Sequence, residues 1–496
     1  MFNSAFLAGE TWGFPGASVE HIETHAAHVF LVGTSAFKIK KDVVLPYLDF
    51  SSLAKRRAVI AHEFEINRHY APQIYVGVTE VAAEPVLVMN RFAGRDVLAN
   101  LVDRGHMNDD LARALADTAA EAHAIAPGTT ASGAAIMAGL GAQLSKAFTS
   151  SPDIFHAPET LEFHALYEDA LKRLAPMLNR RGGQGLVRRC HGDMHCGNIV
   201  VIDGKPVLFD AIEFSEKIAT IDVLYDLAFL LMDLLRHGQS RAANIVLNRY
   251  LHNRRDAEDL SGLAALPLFL ATRAGVRALV TADLIHELAV GKSLRERGSA
   301  LDYFRASIAD LKPPRPLLVC IGGLSGSGKS TLGLNLAPDL GGPPGAIHIR
   351  SDVERKVLAG VADTERLDSE HYSKQASLRV YDAMFARAAS ALTAGHSVIL
   401  DAVFAEPAER NTAAELASRG GAGFHGIWLE AQSAVLKSRV AARRNDASDA
   451  TAAVIDRQLG YDLGSLNWTR IDASGTAEAV LSLVTRKLPL PSGGPA

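Results

Sequence analysis

The sequence predicts a two-domain chain: an N-terminal α+β half made of two lobes, then an α/β half built on a parallel sheet. Three observations predict it. Short strand-like runs with one helix open the chain, helical periodicity dominates from Asp96 to about Leu311, and apolar strands alternate with helices after a proline-rich break. At 496 residues the chain is also too long for one ordinary core.

The elements follow in order. Strand-like runs cover 28–32 and 36–44, with Gly33 and Thr34 as the turn between them. Residues 51–70 have helical spacing and a serine at the start, and two further strands are expected over 74–81 and 85–92. This is a small β-rich lobe with one helix. Helices are then expected over 111–125, 161–178 and 221–235, interrupted by a β-rich island at 186–214. Prolines at 313, 314 and 316 cannot continue a helix, so the boundary falls there. The expected division is 1–311, 312–490 and a disordered tail at 491–496. In the second half, strands are expected over 317–322, 346–350, 397–401 and 424–429, with helices over 370–394 and 432–444.

Composition narrows the function classes. Hydrophobic residues make up 48% and charged residues 21%, ordinary for a globular protein, and the net charge of −4 gives no reason to expect a nucleic-acid or anionic-membrane partner. Cys190, Cys196 and Cys320 fit neither a zinc spacing nor a disulfide framework, so a reducing, cytoplasmic location is expected. The N-terminus has no basic region followed by an apolar run, so no signal peptide is read. The most apolar stretch, 262–284, is interrupted by Arg273 and Arg277 and reads as a buried helix.

The most specific motif is Gly323-Leu324-Ser325-Gly326-Ser327-Gly328-Lys329-Ser330-Thr331. It follows an apolar strand and opens a helix, the context of a Walker A phosphate loop. Glycines let the backbone wrap a phosphate, and the amides and helix N-terminus direct positive charge at it. Lys329 would neutralise the β/γ-phosphates, and the Ser330 hydroxyl would ligate Mg2+. Asp352 falls after the second strand, at the carboxyl edge where ligands bind in open α/β sheets. There it could accept the proton of an attacking hydroxyl or cap a helix, and Arg355 could hold the acceptor. Asp401 ends an apolar strand as a Walker B metal ligand would. Arg439 and Arg443 are four apart, hence neighbours if helical, and could serve as lid arginines.

The motifs GLSGSGKST, SDVER, VILDAVF and RVAARRNDASDA resemble the small P-loop kinases typified by gluconate kinase, chloramphenicol phosphotransferase and the zeta-toxin family. The resemblance spans about 315–489. It implies an α/β P-loop NTPase fold and phosphoryl transfer from ATP to a small hydroxyl compound. The segment is about 180 residues, short for a mechanical motor module with its lid.

A second constellation runs from Cys190 to Glu213. His191, Asp193 and Asn198 fall within one short turn. Residues 199–201 and 206–209 read as a hairpin about Asp203-Gly204, which folds Asp210 back towards Asn198. Asp193 could orient or deprotonate an acceptor hydroxyl, and Asn198 and Asp210 could hold Mg2+. The spacing HGDxHxxN with an acid at the end of the next strand resembles the aminoglycoside phosphotransferase and choline kinase group, over about residues 20–305. That implies a bilobal protein-kinase-like fold. On it Asp193 is the catalytic base, Asn198 and Asp210 are metal ligands, His191 positions the loop, and Asp222 and Asp226 support it. The group also implies a lysine paired with a glutamate in the β-rich lobe. Lys38 and Lys40 share a strand face, with Lys38 favoured; Glu63 is favoured over Glu65. No glycine-rich loop covers the first strands, where only Gly33 stands, and adenine is expected near 89–92.

The order of the two halves resembles a bacterial family of fused aminoglycoside-phosphotransferase-like ATP-binding proteins. The expectation is a kinase with two ATP sites, Mg2+ as cofactor and small-molecule hydroxyl acceptors. The alternative is that one half is a weak nucleotide-binding regulator and only the other is a kinase.

Overall fold

A computed structural model describes residues 4–45, 48–285, 290–444 and 446–488. The expected tail at 491–496 lies outside them. Contacts divide the chain into two compact units, Met1–Ala138 with Ala175–Ala242, and Gly139–Leu174 with Ala243–Ala496. This border does not follow the proline-rich break. The reason is packing. Phe148, Phe155 and Phe163 close on Phe304 with ring centroids 4.6 to 6.2 Å apart, so the helices before the break share a core in the second unit.

The first unit opens with a five-stranded antiparallel sheet. Its order is Val19–Glu23, Ala27–Val32, Ser35–Lys40, Glu84–Asn90, Tyr75–Val81. The edge strand Val19–Glu23 is not evident in the sequence. The lysine-bearing strand stops at Lys40 rather than 44, because Val44–Leu45 pairs separately with Leu48–Asp49. Trp12 and Phe6 cover one sheet face, Trp12 stacking 4.5 Å from Phe37.

The helix Leu53–Tyr70 is capped by the Ser52 hydroxyl, which accepts from the Lys55 amide. Its buried stripe, Arg56, Ile60, Glu63 and Asn67, is mostly polar. A helix burying charge must pair it: Arg56 takes Glu84 and Glu63 takes Lys38 and Lys40, while Ile60 packs into the core. Further along, Ile199–Ile202 and Lys205–Leu208 form the expected hairpin. Asp203 and Gly204 have φ of 49° and 76°, as a two-residue turn with right-handed strand twist requires.

In the second unit five strands run parallel in the order Ile347–Arg350, Val398–Asp401, Leu317–Gly323, Gly423–Glu430, Thr469–Asp472. The last, an edge strand, is the one the sequence does not announce. Val319, Ile321, Ile399, Ile427 and Leu429 bury against Leu332 and Leu336 of the helix Lys329–Leu336. Ala257–Asp283 is apolar and long enough to cross a membrane, but 67% of its most apolar window is buried inside the protein. It includes most of the helix Leu266–Ile285, in which Arg273 is buried.

Candidate functional sites

The first site grows from the helix Leu53–Tyr70 and the strand Ser35–Lys40. Lys38 Nζ lies 2.7 Å from Glu63 Oε1 and 2.7 Å from Asp210 Oδ1. Lys40 Nζ lies 2.7 Å from Glu63 Oε2 and 2.5 Å from Glu213 Oε1. Both lysines therefore hold Glu63, and of the two Lys38 also pairs with Asp210. Glu65 is exposed and pairs with Arg68, outside this cluster. Burial alone would lower the Lys38 pKa; the carboxylates of Asp210 and Glu63 reverse that and raise it well above 10.5. Burial likewise pushes Asp210 up, and the Lys38 ammonium outweighs it, leaving the carboxyl below its usual value.

The loop holding Asp193 is pinned from below. His191 Nδ1 accepts from the Asp193 amide at 3.3 Å, and its Nε2–H donates to Phe209 O at 3.0 Å. Burial lowers the His191 pKa, which favours the neutral ring this bonding needs. The imidazole thus ties the Asp193 loop to the residue before Asp210. Gly192, at φ 86°, donates its amide to Asp226, which also lies 3.1 Å from His123. Asp222 takes the Arg181 guanidinium at 2.7 and 2.8 Å and caps the next helix. Asn198 Nδ2 donates to the Asp193 carboxylate at 2.9 Å, leaving the amide oxygen as the atom that could ligate a cation.

Three residues here escaped the sequence reading. Asn67 accepts from Ala211 N at 2.7 Å and donates to Ala211 O at 3.3 Å; it lies four residues after Glu63, a signal that could have found it. The Tyr75 hydroxyl accepts from Asp210 N at 3.0 Å, beneath an aspartate at φ 60°. Glu213 is the third. Cavities of about 470 and 330 Å³ flank Arg91, Phe92 and Ala93, beside the stretch expected to face adenine. Neither is lined by Lys38 or Asp193.

The second site grows from the central strand Leu317–Gly323. Gly323, Gly326 and Gly328 have φ of 139°, 83° and 93°, and a Cβ on Gly326 would sit 2.6 Å from Leu436 O. Only glycine serves there. Lys329 Nζ donates to Leu324 O at 3.1 Å, and Ser330 Oγ donates to Asp401 Oδ2 at 2.5 Å. Ser325 N donates to Gln458 Oε1 at 2.8 Å, a buttress the sequence did not suggest. Ser327 is buried, and Thr331 is exposed on the helix that follows. Burial pushes Asp401 up, but His348, Lys329 and Arg350 hold it at about 2. Burial lowers Lys329, opposed by Asp401 and Asp352 and assisted by Arg443 and Arg350.

Around this loop two expectations need correction. The helix Ser433–Ala442 ends before Arg443, so Arg439 and Arg443 are not neighbours on one helical face. Arg439 donates to Ala473 O and Gly475 O at 2.8 and 2.9 Å, whereas Arg443 lies 3.7 Å from Asp446 and acts electrostatically on Lys329. Asp352 is not a cap: Arg350 holds the cap position of the helix Ser351–Ala359, and Asp352 lies in its first turn, interacting with Lys329. Arg355, on the same helix, lies 4.7 Å over the Tyr372 ring and donates to His371 O. Asn445 lies outside the described residues. Asp449 accepts from Lys356 at 2.5 Å and Tyr372 at 2.7 Å, fastening the segment after Arg443 to the Asp352 helix.

Residues 48–266 match the sequence model of the phosphotransferase enzyme family, and residues 318–461 match that of an AAA domain. A phosphotransferase-type domain is thus followed by a P-loop domain in one chain. Uncharacterized proteins of Mycobacterium tuberculosis (strain ATCC 25618 / H37Rv) and Mycobacterium bovis are 29% identical over 480 residues, covering 92% of this chain and 92% of each of theirs. Among solved structures, a choline/ethanolamine kinase family protein from Mesorhizobium loti shares 15% identity over 60% of this chain and 93% of its own, with a TM-score of 0.37. A gluconokinase from Sinorhizobium meliloti 1021 shares 21% over 34% of this chain and 90% of its own, with a TM-score of 0.25. The Mycobacterium tuberculosis APS kinase shares 18% over 35% and 98%, with a TM-score of 0.26.

Proposed function

We propose that this chain is an ATP- and Mg2+-dependent phosphotransferase with two nucleotide sites, each passing the γ-phosphate to a hydroxyl group of a small molecule. The observation that carries this reading is that each unit brings together a lysine, a carboxylate whose pKa is lowered by that lysine, and a side-chain oxygen: Lys38, Asp210 and Asn198 in one, Lys329, Asp401 and Ser330 in the other. Both oxygen sets, Asn198 with Asp210 and Ser330 with Asp401, suit a hard cation such as Mg2+. When bound, that ion neutralises phosphate charge.

In the first site Asp193 receives the proton of the attacking hydroxyl, Lys38 orients the phosphates, and Glu63 holds Lys38 in place. In the second, Lys329 and the loop amides hold the β- and γ-phosphates, Asp352 receives the acceptor proton, and Arg443 stabilises charge on the group in transfer. We divide these functions at 311/312, with 1–311 carrying the first and 312–490 the second. Cys190, Cys196 and Cys320 are buried thiols rather than disulfides, which supports a reducing, cytoplasmic setting.

The test is transfer from labelled ATP to a pool of cell metabolites by the intact protein and by Asp193→Ala, Lys329→Ala and the double variant. Each single change should remove at least about 100-fold of one product's formation and leave the other. Transfer that survives in the double variant sinks the assignment.

A further inference from the structure

The helix Ser240–Arg254 precedes the proline-rich break, yet from Ala243 onwards it belongs to the unit that contains the parallel sheet. Its side chains complete an edge of that sheet. Asn244 is buried and donates to Pro344 O and Ala346 O at 3.1 and 3.0 Å. Asn248, one turn on, donates to Ala346 O at 3.1 Å and accepts from His348 N at 2.8 Å. An edge strand offers unpaired amides and carbonyls, and here two asparagines satisfy them in place of another strand. That strand, Ile347–Arg350, leads directly into the helix Ser351–Ala359.

The same element reaches that helix. Arg255, the residue after Arg254, donates through Nη1 to both oxygens of Glu354 at 2.8 and 2.9 Å. Glu354 is buried and has a second guanidinium, Arg387, at 3.3 Å. It lies two residues after Asp352 and one before Arg355. Next to Arg255, His252 accepts from its Nη2 at 2.8 Å and stands 3.2 Å from Asp363. The backbone at Arg255 is left-handed, with φ 49°. Glycine is the residue that adopts this conformation freely where a helix stops. An arginine held there against its own backbone preference has a use for its side chain.

We propose that Arg255 is a positioning residue for the acceptor side of the phosphate-loop site. From the stretch before the break, it fixes the Glu354 helix and so the placement of Asp352. The proposal rests on the second-site reading given above. Two consequences separate it from a plain structural role. If Arg255 only ended a helix, Arg255→Gly would be neutral or stabilising, because glycine relieves the left-handed backbone. If its guanidinium holds Glu354, the same change loosens the Asp352 helix while the chain still folds.

The experiment uses the full chain carrying Asp193→Ala, so that turnover reports the second site alone. Arg255→Gly and Arg255→Lys are added to it. Amide hydrogen exchange over Ser351–Ala359 should quicken about 10-fold in the glycine variant, with exchange over Lys329–Leu336 unchanged. Hydrolysis of ATP with water as acceptor should fall about 10-fold in kcat, with KM for ATP within about twofold. The lysine variant keeps the charge but not the fixed fork, and should fall between. Unchanged exchange over Ser351–Ala359 overturns the proposal, as does faster exchange with unchanged kcat. If the Asp193→Ala parent hydrolyses no ATP, the second-site reading fails instead, and the exchange comparison alone decides whether Arg255 holds the helix.

Discussion

Two lysines serve the two sites, and their surroundings are opposite. Lys38 stands between two carboxylates at 2.7 Å, which raise its pKa. Lys329 is half-buried at the start of the helix that follows a glycine-rich loop, bonds a backbone carbonyl, and has its pKa lowered. The first lysine is oriented by acids supplied from sequence positions 25 and 172 residues away. The second bonds a carbonyl of its own loop, Leu324 O, five residues back. A site assembled from distant parts needs its partners in place before it works; a contiguous loop carries its geometry with it.

Changing Glu63 should expose this difference most. Glu63→Gln leaves two lysines without the carboxylate they share, and losing one partner of a buried pair costs about 3–5 kcal/mol. Guanidinium unfolding read by hydrogen exchange should show the loss over Leu53–Tyr70 and none over Lys329–Leu336. Equal loss in both would break the comparison. Next in size is a pair of changes at the second site. Arg443→Ala should lower transfer about 100-fold, near 2.7 kcal/mol, while Arg439→Ala, whose guanidinium holds backbone carbonyls, should change rate less than about threefold. Steady-state rates with Lys329 intact decide between them.

The smallest effect is in acid. Asp401 has a depressed folded pKa of about 2, so its stabilisation is present above the unfolded value near 4 and is lost as pH falls from about 4 towards 2. That is on the order of 2 kcal/mol, readable as a shift in unfolding midpoint that Asp401→Asn abolishes. The two lysines have opposite signs in alkali. The raised Lys38 stabilises fully below 10.5 and loses that contribution as pH rises beyond it, whereas the lowered Lys329 is relieved as pH approaches 10.5 from below.

The same contrast explains what the sequence discloses. The phosphate loop is contiguous, so its residues and their conformations are legible as a string. The Asp193–Asn198–Asp210 spacing is legible too, because a short hairpin with a fixed turn joins its parts. Lys38 and Lys40 share a face by strand periodicity, and only the fold shows that both reach Glu63. Asn67, Glu213 and Gln458 meet partners 144, 173 and 133 residues away and leave no local pattern, apart from the helical spacing of Asn67 to Glu63. Val19–Glu23 and Thr469–Asp472 are edge strands of mostly polar residues, so no apolar run marks them. The arginine pair misled because helical periodicity says nothing of where a helix stops, and this one stops at Ala442.

The helix Ser240–Arg254 has a consequence for synthesis. Asn244 meets Ala346 across 102 residues of sequence. A ribosome adding about 5–20 residues per second finishes the helix roughly 5–20 s before that strand exists. The nascent chain therefore carries one border of the later sheet ahead of the sheet itself. The edge strand can be sealed as it emerges, during the interval in which an open edge would otherwise invite pairing with another chain.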